Sequence, residues 1–203
     1  MKKFKKILSY IVYWLVQCTW GIVLTLIGAI AALALLVTGH KPKMLGPNVY
    51  FTVGHNWGGA SIGPFIICCE EISEKTLYHE CGHALQNMIY GPFTPFLVSI
   101  PSAVRYWLRQ CSTRQKKSLF NLFFLVGSLL LTTGLDCLTG LVFHIKWLTI
   151  LVESFRIYFS LISIWLSTSE IPKYDKGYVD YDDAWFEGQA TNWGTKIYEK
   201  KED

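Results

Sequence analysis

The sequence predicts a mainly α membrane protein: an N-terminal apolar anchor helix, a small β-hairpin plus a histidine-bearing helix, a transmembrane helical hairpin and a C-terminal helix. Three observations predict it. The 203 residues are 51% hydrophobic and only 17% charged, with a mean hydropathy of +0.28, whereas soluble domains carry about 25% charge. Residues 7–38 contain no charged side chain. Two more apolar runs, 119–145 and 147–167, are separated only by the neighbourhood of His144 and Lys146. So apolar a chain is not disordered, and a net charge of +4 gives no broad basic face for a nucleic acid. The six cysteines include an adjacent pair, Cys68 and Cys69, and fit no compact disulfide framework; they read as reduced thiols.

The first element is the anchor, residues 1–39. A helix over 7–38 reaches about 48 Å against a bilayer core of about 30 Å, enough for one tilted or kinked span and too little for two. Lys2, Lys3, Lys5 and Lys6 precede it, but its apolar part is longer than the h-region of about 7–15 residues of a signal peptide, so it is expected to stay. Residues 40–118 form the polar core. Within them 48–69 places β-branched and aromatic runs around a glycine-rich turn at 54–59, a hairpin signal with His55 in its turn. Residues 119–167 form the helical hairpin, in which Asp136, Glu153 and Arg156 are costly in lipid. Asp136 and Arg156 fall at similar depth and are expected to pair, with Glu153 sharing the cation. Two buried helices of a soluble fold are the alternative. Residues 168–203 are the tail.

Orientation rests on basic residues. The N-terminal lysines and Arg105, Arg109, Arg114, Lys116 and Lys117 both belong in the cytoplasm by the positive-inside rule, yet one intervening span would separate them. The conflict disappears if residues 7–38 lie in the interface or re-enter, or if 93–104 dip back into the bilayer. The expectation is an integral protein of a bacterial inner membrane with a cytoplasmic working face.

The chemistry sits in residues 76–91, which contain His79-Glu80-Cys81-Gly82-His83, an HExxH sequence. Chance produces one in about two hundred chains of this composition. At about 100° per residue His83 lies one turn above His79, so both imidazoles can grip one metal ion, with Glu80 beside them to hold a water. Leu77, Cys81, Ala84, Leu85 and Met88 cluster on the opposite side as an apolar back. A catalytic zinc site needs a third protein ligand and an open position. The candidates are Glu187, His55, His144 and Asp183. Glu187 shares a face of a tail helix with Asp183, Thr191 and Gly194, whose small side chains allow close approach to the first helix. His55 stands on a poorly fixed turn and His144 at the far end of the hairpin, while Asp183 suits a role orienting a histidine.

With these residues the chain resembles HExxH zinc metallopeptidases of the gluzincin kind, two histidines on one helix and a glutamate on a later one. More narrowly it resembles small bacterial membrane-associated proteins whose pattern runs HEYGHxxQ, then GPLYL and G-x-P-S, then TExWADxxGG. The matching residues are His79, Glu80, Gly82, His83 and Gln86, then Gly91-Pro92-Phe93 and Ile100-Pro101-Ser102, then Glu187, Ala190 and Gly194. The likeness covers approximately residues 7–110 and 180–195, and Thr191 replaces the acid of WAD. It implies Zn²⁺ held by His79, His83 and the ligand-helix Glu187, with Glu80 as general base in hydrolysis of a peptide or protein substrate at the lipid bilayer. Tyr178 and Tyr181 are candidates for stabilising the oxyanion. The readings in competition are a non-catalytic membrane interaction module with a structural or degenerate metal site, and a zinc hydrolase of a lipid.

Overall fold

A computed structural model describes residues 2–142 and 146–199; His144 and the tip of the hairpin lie outside them. The chain divides into two compact units, residues 1–102 with 181–203, and residues 103–180.

In the first unit the apolar N-terminus forms two helices, not one anchor helix. α1 (Lys2–Thr19) and α2 (Ile22–Val37) meet at a bend of 99°. At 16 residues α2 extends only about 24 Å, short of the bilayer core. The break has a polar cause that composition conceals. Asn87, on the histidine helix, donates Nδ2 to the Gly21 carbonyl at 3.0 Å and to Gln17 Oε1 at 2.6 Å. Gln17 in turn donates to the Ala84 carbonyl at 2.8 Å. A Cβ on Gly21 would stand 2.6 Å from Asn87 Nδ2, so the corner requires glycine. Elsewhere both helices leave apolar side chains exposed, among them Ile11, Leu15, Leu26, Ile30 and Leu33, a surface that water does not favour.

Next comes a four-stranded sheet of order β1-β2-β4-β3, made of β1 (Lys43–Leu45), β2 (Asn48–Thr52), β3 (Gly59–Ile62) and β4 (Phe65–Cys68). The expected hairpin across 54–59 is absent. β2 pairs parallel with β4, Val49 opposite Phe65, and residues 54–58 carry the chain across to the far edge. The tight turns fall instead at Gly46 (φ 60°) and Gly63 (φ 64°), each in the left-handed region and each followed by proline. β3 is thereby an edge strand.

In the second unit the hairpin is present. Its stretches Arg114–Gly140 and Lys146–Lys173, of 27 and 28 residues, are long and apolar enough to cross a membrane. They comprise α5 (Arg114–Cys137), which follows α4 (Ile100–Gln110), and α6 (Lys146–Trp165), which runs through a wide turn into the single turn α7 (Ile171–Lys173). A polar seam joins the arms. Asn121 donates to the Ser163 carbonyl at 3.1 Å and to Ser167 Oγ at 2.6 Å. Arg156 lies 2.6 Å from Glu153 and 4.0 Å from Asp136, so the expected triad assembles with Glu153 as the tighter partner. Most of the basic cluster is committed internally. Arg105 is fully buried against Glu170 at 2.7 Å, Arg114 pairs with Asp175, and Arg109 and Lys117 donate to backbone carbonyls.

Candidate metal centre

α3 (Glu74–Tyr90) begins where the Ser73 hydroxyl accepts from the Thr76 amide at 3.1 Å, and its apolar back, Leu77 and Cys81, is buried with Ile66, Cys68 and Tyr198. That packing turns His79 and His83 to the other side, their rings edge to face at 4.6 Å. The tail supplies the helix that crosses them, α8 (Trp185–Tyr198). A Cβ on Gly82 would lie 1.9 Å from the Ala190 carbonyl oxygen, and one on Gly194 1.8 Å from that of Tyr78. The two helices therefore touch backbone to backbone. This contact brings Glu187, fully buried, over the two imidazoles.

Glu187 Oε2 lies 3.2 Å from His79 Nε2 and 3.2 Å from His83 Nε2. Two donors bound tetrahedrally to one ion at about 2.0–2.1 Å stand about 3.3 Å apart, so the spacing fits a shared metal. Among the described residues these three are the group of His, Cys, Asp or Glu side chains whose donor atoms converge within 4.8 Å. His79 Nε2 and Glu187 Oε1 are buried without a hydrogen-bond partner, the atoms that a cation would satisfy. The imidazole side chains keep 10% and 12% of their surface exposed, so the histidines remain in part accessible to water while Glu187 is not.

The outer nitrogens are tied down. His79 Nδ1 meets Thr191 Oγ1 at 2.7 Å, and that hydroxyl donates to Asp182 Oδ1 at 2.8 Å. His83 Nδ1 donates to Gln86 Oε1 at 2.7 Å, and Gln86 is fixed by donating to the Phe186 carbonyl at 2.7 Å and Gln189 at 3.0 Å. With Nδ1 as donor on each ring, both Nε2 lone pairs point to the ion's position. The residue that steadies His79 through Thr191 is thus Asp182, not Asp183. The reason is a register shift: Tyr181–Asp183 form a separate turn, and α8 starts only after Ala184.

Glu80 is 5% exposed and lies against β3, where a Cβ on Gly59 would come within 2.9 Å of its Cγ. Burial raises its pKa; His83 and His79 oppose that shift, and Glu187 adds to it. Burial also pushes Glu187 up, yet His79 and His83 beside it hold it below the ordinary carboxylate range. Tyr181 packs its ring 5.6 Å from His79, and its hydroxyl interacts with Glu187 and Ser102. Tyr178 belongs to the other unit and is 89% exposed. His55 stands in the loop after β2, exposed and paired with Glu71. Sequence alone assigns Asp182, Gln189, Ser102 and Gly59 no role at the site, because their roles depend on which helix and strand face it.

Compared with family models, curated proteins and solved structures, the chain matches none.

Proposed function

We propose that this chain is a membrane-anchored, zinc-dependent metallopeptidase working from the cytoplasmic face of a bacterial inner membrane. The observation that carries this is the convergence of His79, His83 and buried Glu187 at 3.2 Å spacings, with a second carboxylate, Glu80, one residue from a ligand. Three protein donors with solvent on one side are the arrangement of catalytic zinc, whereas structural sites are closed by four.

His79, His83 and Glu187 would hold the ion, which when bound supplies a Lewis acid and lowers the pKa of water towards about 7. Glu80 takes a proton from the attacking water on its carboxylate oxygen and delivers it to the leaving amine nitrogen, and its burial suits a group that must hold that proton between the two steps. Of the two tyrosines, Tyr181, whose ring lies 5.6 Å from that of His79, is the one beside the site and takes the oxyanion role. β3, unpaired on its outer side among the described residues, runs beside Glu80 and can accept an extended peptide as a further strand, drawing the scissile bond past the base. The hairpin Arg114–Gly140 with Lys146–Lys173 holds the protein in the bilayer, and the bent pair α1–α2 lies in the interface or re-enters, which lets both basic clusters share one side.

The test is Glu80→Gln, which preserves size and removes the base. Hydrolysis of a quenched fluorescent peptide library by the zinc-loaded protein should fall at least about 100-fold while bound zinc stays at the wild-type level. Undiminished hydrolysis by this variant contradicts the mechanism. A wild type that binds zinc and hydrolyses nothing favours the non-catalytic module.

A further inference from the structure

At the polar end of the hairpin the second unit contains a cavity of about 390 Å³. Three cationic residues, Arg109, Arg114 and Lys117, line it against one carboxylate, Asp175. The Arg114–Asp175 pair, at 2.6 Å, has its arginine side chain 66% exposed, so the carboxylate occupies one edge of the guanidinium and leaves the rest of the fork available. Lys117 donates to the Leu108 carbonyl at 2.9 Å and to the Cys111 carbonyl, and stands 4.2 Å over the ring of Tyr174; these partners use its donors but are neutral and leave its positive charge uncompensated. The Tyr174 hydroxyl, also at the cavity, is buried and has no hydrogen-bond partner. A buried O–H donor on a wall of positive charge suits a ligand that is both anionic and rich in acceptor oxygens. α5 starts at the same wall, after its Thr113 cap, so the positive end of its dipole adds to the field.

We propose that this cavity binds an anionic phosphate group, held by Arg114 and the Tyr174 hydroxyl beside the charge of Lys117. Two sources carry that chemistry, the headgroup of an acidic phospholipid and free phosphate. The lining residues precede or begin Arg114–Gly140 and follow Lys146–Lys173, so a hairpin that spans the bilayer sets the cavity at headgroup level. The site itself does not depend on the peptidase reading.

The test titrates the full-length protein in neutral detergent micelles with dihexanoyl phosphatidylglycerol and, separately, with inorganic phosphate, following tryptophan fluorescence. The expected result is saturable binding of the lipid, weakened about tenfold or more in Arg114→Gln and several-fold in Tyr174→Phe, which removes one oxygen and leaves the packing in place. Saturation by the lipid alone assigns the headgroup, and saturation by both probes assigns phosphate of either source. Thermal unfolding of the unliganded variants should match wild type. Absence of binding by either probe overturns the proposal, as does equal affinity in wild type and both variants.

Discussion

The Thr191 hydroxyl links His79 to a carboxylate by relay. It accepts from His79 Nδ1 at 2.7 Å and donates to Asp182 Oδ1 at 2.8 Å, which keeps the imidazole in the tautomer that presents Nε2. Thr191→Val keeps the shape and cuts the chain. It should weaken zinc binding about 10- to 100-fold in a competition titration with a chromophoric chelator, with Thr191→Ser near wild type. Asp182→Asn should shift affinity in the same direction, and Asp183→Asn should leave it unchanged. A Thr191→Val protein with wild-type affinity would show that Gln86 and Glu187 suffice to fix the site.

At the scale of elements, the crossing of α3 and α8 decides whether a site exists. Because Gly82 and Gly194 each face a carbonyl oxygen at less than 2 Å from a hypothetical Cβ, neither helix can yield by moving a side chain. Gly82→Ala or Gly194→Ala should force the helices apart, cost at least about 1–3 kcal/mol of stability and abolish stoichiometric zinc, measured by thermal unfolding and metal analysis of the same sample. Retention of both would place the crossing elsewhere. In the hairpin, Arg156→Ala strands two carboxylates, whereas Asp136→Ala leaves the 2.6 Å Arg156–Glu153 pair intact. The yield of folded protein in membranes should therefore fall most for Arg156→Ala and least for Asp136→Ala, and equal losses would argue against a shared cation. The HExxH helix was legible in the sequence because its signals are local: a one-turn ligand spacing and an apolar back. The α1–α2 corner was not, since an uninterrupted apolar composition hides a bend imposed by Asn87, 66 residues further on. The parallel β2–β4 pairing was hidden too, because Gly63 and Pro64 sit inside what reads as one strand, while the conspicuous glycines at 54, 58 and 59 mark a crossover and its end.

For the whole molecule, the central claim is that a tail more than a hundred residues from the HExxH motif completes one metal centre. The third ligand was legible only as an unmet requirement, two histidines on one helix being too few, and the tail offered an acid flanked by small residues. What settles its position in the fold is the return of residues 181–203 to the first unit after the hairpin. Glu187 is fully buried with one oxygen 3.2 Å from both imidazoles, so its removal deletes the carboxylate that converges on them. The most direct measurement is the zinc content of purified wild type and Glu187→Ala, dialysed against the same buffered free zinc, with His55→Ala as the control. The account predicts about one zinc per chain in wild type and His55→Ala and little in Glu187→Ala. Equal zinc in Glu187→Ala and wild type would contradict it.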